Sequence, residues 1–341
     1  MNRIVGLDYL RIYSVLIVFL FHSWMHLGCT FSKFTTFISE GAVYMTLFFM
    51  MSGYVLGIKY KNQSIDPPSL IKFYQKRFAT IFPLYIICVF LYPPLFGNET
   101  FTENAMLLPI EMLGLQSFYP SLSTITHNGG TWFVSCIIVC YILAPLLISF
   151  LNGISRKASG YLYMLLCVFL LTSSWVIYVF EGNELYTNPL NRFCEFTLGM
   201  ILALNAEGIV KKFRWITSRY SILASYLLVL MVVMLLLKVH VPHVSYMAFS
   251  AVLVPCFSCQ LLSHTTKTQL MNCKVLRYCA DISYAFFLMQ LFVFKFTIAI
   301  MQYWGIESKI YAFTIAILLC FSLSALGHRF IEHPMAARLK R

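Results

Sequence analysis

Long apolar stretches alternate with short polar ones along almost the whole chain. A helix that crosses the hydrocarbon core of a bilayer needs about 20 mainly apolar residues. Ten stretches meet this requirement, and they cover residues 6–28, 40–60, 77–96, 130–151, 159–180, 188–206, 220–238, 244–263, 281–303 and 308–328. An eleventh stretch, 104–118, is shorter and contains Pro109 and Glu111. The pattern predicts an all-α polytopic membrane protein with about ten transmembrane helices, in which residues 1–341 form a single integral-membrane domain.

The positions of Lys and Arg predict how these spans are oriented, because cytoplasmic loops of membrane proteins carry an excess of basic residues. With a cytoplasmic amino terminus and ten spans, the outer loops hold only Lys33, Lys238 and Lys309 of the 25 basic residues. If 104–118 also crossed the membrane, every later basic loop would face outwards. We therefore predict that both termini are cytoplasmic and that 104–118 forms a short outer-face or re-entrant helix.

The composition fits this class of protein. Of the 341 residues, 60% are hydrophobic and only 11% are charged, whereas soluble domains carry about 25% charged residues. The net charge of +12 could suggest nucleic acid, but basic cytoplasmic loops are normal in membrane proteins, so no such partner is expected. The 11 Cys residues show no spacing typical of a metal site. We expect a multi-pass protein of the bacterial inner (cytoplasmic) membrane that contacts lipid and binds no metal.

The first apolar stretch contains four residues that a membrane helix normally avoids, namely Asp8, Arg11, His22 and His26. A charge at the bilayer centre costs roughly 2.5–3.5 kcal/mol on insertion scales. Arg11 and His22 are separated by three helical turns plus about 20°, so they share one face about 16 Å apart along the axis. We interpret this stripe as turned towards a cavity inside the bundle. The alternative is that Arg11 snorkels to the surface and His22 is a hydrogen-bonded structural residue.

Six further short motifs follow this pair in order along the chain. They are residues 48–54 (FFMMSGY), Lys76-Arg77 followed by 83–85 (PLY), 131–133 (TWF), 192–200 (RFCEFTLGM), 283–288 (SYAFFL) and 329–334 (RFIEHP). Together with the Arg–His pair they resemble the membrane acyltransferase 3 family, whose mark is an Arg and a His separated by ten residues. The sequence departs from the family's motifs at Thr80, where a second Arg is usual, and at Gln290, where a His is usual.

The resemblance implies transfer of an acyl group, usually acetyl, from cytoplasmic acyl-CoA to a hydroxyl of a cell-envelope carbohydrate or lipid-linked sugar. Acetyl-CoA is then the acyl donor and co-substrate. Arg11 is expected to bind a phosphate of coenzyme A together with Lys76 and Arg77 at the mouth of the third span. His22 lies deeper and is expected to act as the general base on the acceptor hydroxyl, which makes Arg11 and His22 the catalytic pair. A covalent acyl relay on His22 or a serine is left open.

Other polar residues are expected to support this pair. Asp8 lies one turn before Arg11 and is expected to orient or neutralise it. The oxyanion that develops on the thioester needs hydrogen-bond donors. Ser52, Tyr54 and Trp132 are candidates, and the sequence does not choose among them.

Two pairs of residues in the middle spans are interpreted as structural. Arg192 and Glu195 lie three residues apart in the sixth span and are expected to form a buried ion pair. Gly53 and Gly57 form a GxxxG motif, which is typical of close helix packing.

Two other functions compete with acyl transfer. A transporter or flippase would also place polar groups inside its spans, although it would more often show internal repeats or paired broken helices. A non-catalytic subunit of a polysaccharide export system is the other alternative. Use of acetyl-CoA distinguishes the enzyme from both.

Overall fold

The structure, a computed structural model, describes residues 3–63, 66–96, 100–119, 126–179, 186–238, 246–266 and 273–338, without the side chains of 175–179 and 246–249. The α-helices in these ranges are α1 (Val5–Leu27), α2 (Thr35–Ile38), α3 (Tyr44–Lys59), α4 (Pro67–Phe96), α5 (Phe101–Met112), α6 (Trp132–Gly153), α7 (Arg156–Val179), α8 (Pro189–Lys212), α9 (Ser221–Lys238), α10 (Tyr246–Thr265), α11 (Lys274–Asp281), α12 (Ser283–Tyr303), α13 (Lys309–Gly327) and α14 (His333–Arg338). Residues 180, 244 and 245, at the ends of two predicted spans, lie outside the described ranges.

The all-α polytopic class is confirmed. In the part of the chain that the structure describes, nine helical segments are long and apolar enough to cross a membrane. The tenth predicted span, 244–263, corresponds to α10. The cytoplasmic placement of both termini stays a prediction. Helix α4 begins at Pro67, well before the predicted span 77–96, because its first turns are helical but polar. Hydropathy detects only the apolar part of a helix, so it missed these first turns. Pro is favoured in the first turn of a helix, which fits the start of α4 at Pro67.

The segment predicted as 104–118 contains α5, which is too short to cross a bilayer. Its 12 residues extend about 18 Å, whereas the hydrocarbon core is about 30 Å thick. The helix begins at a capping box in which Thr100 accepts from the Glu103 backbone N–H. Its end is tied to the segment before α6, because His127 Nδ1 lies 2.7 Å from Glu111 Oε2.

Helices α3 and α8 pack against each other at glycines. A Cβ atom added to Gly53 would lie 1.9 Å from the Phe196 carbonyl oxygen, and one added to Gly199 would lie 1.9 Å from the Met50 carbonyl oxygen. A Cβ atom added to Gly57 would lie 2.8 Å from the Met200 carbonyl oxygen. The two backbones therefore approach more closely than any side chain allows, which agrees with the packing role predicted for the GxxxG motif.

Helix α1 runs through the bundle as one uninterrupted helix of 23 residues that ends at Gly28. Gly28 has φ 65°, a left-handed conformation that closes a helix and favours glycine. Helix α1 packs against α3, α10, α11 and α12, and Gly6 sits directly against the His264 carbonyl group. Arg11 and His22 therefore belong to one rigid helix, as their spacing predicts.

One side of the bundle carries Arg3, Lys61, Arg77 and Arg156, and we call it the basic face. Arg3 forms ion pairs with Asp8 and with Asp281 there. Lys61 forms an ion pair with Glu207. Burial lowers the pKa of Arg3, but its hydrogen bonds to these carboxylates outweigh that effect and leave its pKa above the ordinary value.

Candidate functional site

A cavity of about 480 Å³ lies at the basic face and contains Arg11, so we call it the Arg11 cavity. Helices α1, α3, α4, α6, α12 and α14 contribute to its wall. Its polar lining includes Arg11, Ser52, Arg77, Asp281, His328 and His333. Two guanidinium groups, two imidazoles and the carboxylates of Asp281 and Glu332 therefore border this space, and hydroxyl, aromatic and aliphatic side chains complete its wall.

The Arg11 guanidinium faces this cavity without a carboxylate bound to it. Asp8 was expected to orient or neutralise Arg11, but its carboxylate binds Arg3 Nε at 2.5 Å instead. No hydrogen bond or ion pair joins Arg11 to another side chain within the described ranges. Asp8 and Asp281 attract the Arg11 guanidinium through space, but neither forms a hydrogen bond with it, so its N–H donors are available to a molecule that enters the cavity.

Of the two basic residues predicted at the mouth of the third span, only Arg77 lines the cavity. Its guanidinium lies 4.9 Å from the centre of the Tyr141 ring and 5.6 Å from that of Phe73, and such stacking holds the side chain in place. Lys76 is exposed and is not part of the lining. Thr80 borders the cavity and donates a hydrogen bond to the Lys76 carbonyl oxygen at 2.8 Å.

Residues after α13 also border the Arg11 cavity, although sequence reasoning did not select them. The chain forms one π-helical turn at His328–Glu332. His328 Nδ1 lies 2.8 Å from Glu332 Oε2, and both residues line the cavity. The only signal in the sequence was the closing motif 329–334, and its position against α4 is decided by tertiary packing.

A second cavity, of about 270 Å³, contains His22 and is called the His22 cavity. It lies away from the basic face, where its wall includes the start of α6 and the last turns of α1. Its lining includes His22, His26, Trp132, Tyr186, Gly129 and Gly130. The pair of glycines leaves this wall without side chains, so space remains beside the histidine.

A hydrogen bond to Gln290 sets the orientation of His22. The distance from His22 Nδ1 to Gln290 Oε1 is 2.6 Å. With the Gln290 oxygen facing the ring, Nδ1 donates and Nε2 carries the lone pair, whereas an amide turned by 180° gives the opposite assignment. No partner of Nε2 lies within the described ranges. Gln290, the residue at which the sequence departs from the family motif, therefore fixes the orientation of the His22 ring.

The three candidate oxyanion donors occupy different places. Ser52 lines the Arg11 cavity and Trp132 lines the His22 cavity. The Tyr54 hydroxyl forms a 3.0 Å hydrogen bond with Thr265 Oγ1 and lines neither cavity. Of the three candidates, only Ser52 and Trp132 line a cavity.

Arg192 and Glu195 form the buried ion pair that their spacing predicts, with Arg192 Nη1 2.8 Å from Glu195 Oε2. Glu195 also accepts a hydrogen bond from Thr46 at 2.8 Å. The Arg192 guanidinium lies 5.1 Å from the Trp132 ring and 4.6 Å from the Tyr186 ring. The pair lines neither cavity, but it supports two aromatic side chains in the wall of the His22 cavity.

Two side chains, Met45 and Phe287, line both cavities. Arg11 lies on one side of them and His22 on the other. The two residues that stand about 16 Å apart on α1 therefore border adjoining spaces rather than lipid. The interpretation of a polar stripe facing the bundle interior agrees with this placement.

Comparison with known proteins adds an independent observation. A family model described as an acyltransferase domain, that of the acyltransferase 3 family, matches residues 4–329. A curated relative, the acyltransferase MdmB of Streptomyces mycarofaciens, is 27% identical over 232 residues. The aligned region covers 59% of this chain and 57% of that relative. No solved structure matches the chain.

Proposed function

This chain belongs to the acyltransferase 3 family, and from that premise we propose that it moves a short acyl group, acetyl first, from acyl-CoA to an acceptor hydroxyl. The observation that carries the proposal is the placement of Arg11 and His22 in two cavities that adjoin at Met45 and Phe287. The acceptor class is a cell-envelope carbohydrate or lipid-linked sugar. The protein works as a multi-pass protein of the bacterial inner membrane, with both termini in the cytoplasm.

The Arg11 cavity takes the donor in this proposal. Phosphate oxygens form strong charge-assisted hydrogen bonds with guanidinium groups, and Arg11 and Arg77 both face the cavity. The basic face surrounds its entrance and attracts the nucleotide end of coenzyme A. The pantetheine arm then follows α1 towards His22, over a distance of about 16 Å.

The His22 cavity takes the acceptor hydroxyl. His22 Nε2 accepts the hydroxyl proton while the acceptor oxygen attacks the thioester carbonyl carbon. The C–O bond forms, the C–S bond breaks, and the sulfur leaves as a thiolate that takes the proton back from His22. The products are the acyl ester and coenzyme A as a thiol. In this proposal Gln290 accepts a hydrogen bond from Nδ1–H in the resting state, so the lone pair remains on Nε2, the nitrogen that accepts the proton.

The experiment is a transfer assay with the purified full chain in detergent. Acetyl-CoA and an envelope fraction from cells that lack the protein are supplied, and both released thiol and acylated product are measured. The wild-type protein is expected to release coenzyme A. His22→Ala is expected to lower kcat by about 10²–10⁴, the usual contribution of a general base.

The same assay separates the competing functions. A transporter or a non-catalytic subunit leaves acetyl-CoA intact, so wild-type protein that consumes none would refute the enzyme. Full activity of a folded His22→Ala variant would retain the enzyme and remove His22 as its base. Elution as a single species in size-exclusion chromatography verifies that each variant folds.

A further inference from the structure

The boundary between the two cavities is built from one flexible and one fixed side chain. Met45 from α3 is 2% exposed and Phe287 from α12 is 9% exposed. The Phe287 ring packs edge-on against Phe133, with 5.1 Å between ring centres. Phe48 lies 6.4 Å from both of these rings. Three phenyl groups thus hold one another in place at the inner end of the Arg11 cavity, and Met45 closes the opposite side.

The position of this boundary decides where the acyl group of the donor must lie. With the phosphates near Arg11, the sulfur of coenzyme A enters the boundary from the basic face. The carbonyl carbon must meet a hydroxyl beside His22, so the acyl chain projects into the His22 cavity. That cavity measures about 270 Å³, and the acyl chain shares it with the hydroxyl-bearing part of the acceptor. Every added methylene therefore competes with the acceptor for space.

We propose, resting on the function proposed above, that Met45 and Phe287 form a neck that holds the thioester at the boundary and leaves room in the His22 cavity for acetyl in preference to longer acyl groups. One methylene in a packed apolar pocket changes kcat/KM by about 10–200-fold. Phe287 contributes more than Met45 to the preference for acetyl. Its ring is held in place by two other rings, whereas the unbranched Met45 side chain can change conformation to accommodate a longer acyl group.

The test compares acetyl-CoA, butyryl-CoA and hexanoyl-CoA as donors for the purified full chain, with the same envelope fraction as acceptor. The wild-type protein is expected to favour acetyl-CoA over hexanoyl-CoA at least tenfold in kcat/KM. Phe287→Ala and Phe287→Leu are expected to reduce that ratio at least tenfold, mainly by raising the rate with hexanoyl-CoA. Met45→Ala is expected to reduce it less, and Met45→Phe is expected to increase it.

The matched control is Phe321→Ala, which removes the same ring from an exposed position on α13 that borders neither cavity. Its donor ratio is expected to equal that of the wild-type protein. A wild-type protein without preference for acetyl-CoA, or an unchanged donor ratio in the Phe287 variants, would refute the role of the neck in donor selection but would not contradict the proposed acyl transfer. If both Phe287 variants are inactive with every donor, an unchanged ratio in the two Met45 variants overturns it. A wild-type protein that uses no acyl-CoA instead overturns the proposed function.

Discussion

The Nδ1 atom of His22 lies 2.6 Å from the Oε1 atom of Gln290, which is 268 residues away in the sequence. This contact joins α1 to α12 beside the His22 cavity. With the amide oxygen facing the ring, Nδ1 is the donor and Nε2 carries the lone pair. A residue that does not titrate can therefore fix both the orientation and the tautomer of an imidazole.

Replacing Gln290 tests this relationship. In Gln290→Ala the imidazole loses the acceptor that selects its tautomer, so we expect kcat to fall about 10–100-fold, in line with losses from removing an outer hydrogen-bond partner. KM for acetyl-CoA is expected to change little, because the Arg11 cavity is untouched. Gln290→Glu keeps an acceptor at this place and should retain more activity than the Ala variant. The matched control is Gln302→Ala, at an exposed position of the same helix, and equal kcat in both Ala variants would contradict the assignment.

Arg11 is predicted to act on donor binding. Arg11→Ala removes hydrogen bonds to a charged partner that are each worth about 1.5–3 kcal/mol, so KM for acetyl-CoA and Kd for coenzyme A are expected to rise at least tenfold. Arg214→Ala is the matched control, since Arg214 is exposed and lies outside both cavities. Binding is measured by calorimetry with purified protein. Equal affinities of the two variants would exclude Arg11 as a phosphate ligand.

The Arg192–Glu195 pair is predicted to act on stability. Glu195→Ala leaves a buried guanidinium without its carboxylate, which costs about 3–5 kcal/mol. The exposed pair of Lys61 and Glu207 supplies the comparison, because losing a surface ion pair costs about 1 kcal/mol or less. Thermal unfolding in detergent is therefore expected to show a much larger decrease for Glu195→Ala than for Lys61→Ala. Similar decreases in unfolding temperature for the two variants would contradict a larger contribution of the buried Arg192–Glu195 pair to stability.

The close approach of α3 and α8 is tested by adding one methyl group. The Cβ atom of Gly199→Ala would lie 1.9 Å from the Met50 carbonyl oxygen, so the helices must separate, at a cost of about 1–3 kcal/mol or more. Gly208→Ala is the control on the same helix, because no atom lies within 4 Å of its added Cβ. Thermal unfolding should show a loss for the first variant and no loss for the second. A stable Gly199→Ala protein would show that α3 and α8 are further apart.

The first turn of α5 is predicted to lose stability in acid. Hydrogen bonds from the Thr100 backbone and hydroxyl lower the pKa of Glu103, so its carboxylate stabilises the folded helix. This contribution is complete above the ordinary Glu pKa of about 4.3 and is lost as pH falls through the lower folded-state value. The protection factors of the α5 amides, which correct for the slower intrinsic exchange in acid, should therefore decrease below about pH 4. Glu103→Gln should remove this dependence, and an unchanged pH profile in that variant would contradict it.

Much of the fold was predictable because membrane spans and their charges are local features. The length of each apolar stretch identifies a helix, and the helical repeat places Arg11 and His22 on the same face of α1. The Arg192–Glu195 pair and the packing of Gly53 and Gly57 followed from neighbours three or four residues apart. Asp8 shows where local reasoning ends, because its expected partner was Arg11 on the next turn whereas its carboxylate binds Arg3.

The sequence by itself determined that the chain is all-α and polytopic, because each segment in lipid must satisfy its own backbone hydrogen bonds within one helix. It also indicated that the polar stripe on α1 faces away from lipid, because exposing a charged side chain to the hydrocarbon core costs several kcal/mol. Only the tertiary structure decided that Gln290 meets His22 and that Met45 and Phe287 divide the interior into two cavities. These are contacts between distant helices, and their geometry depends on how whole helices pack rather than on any spacing along one of them.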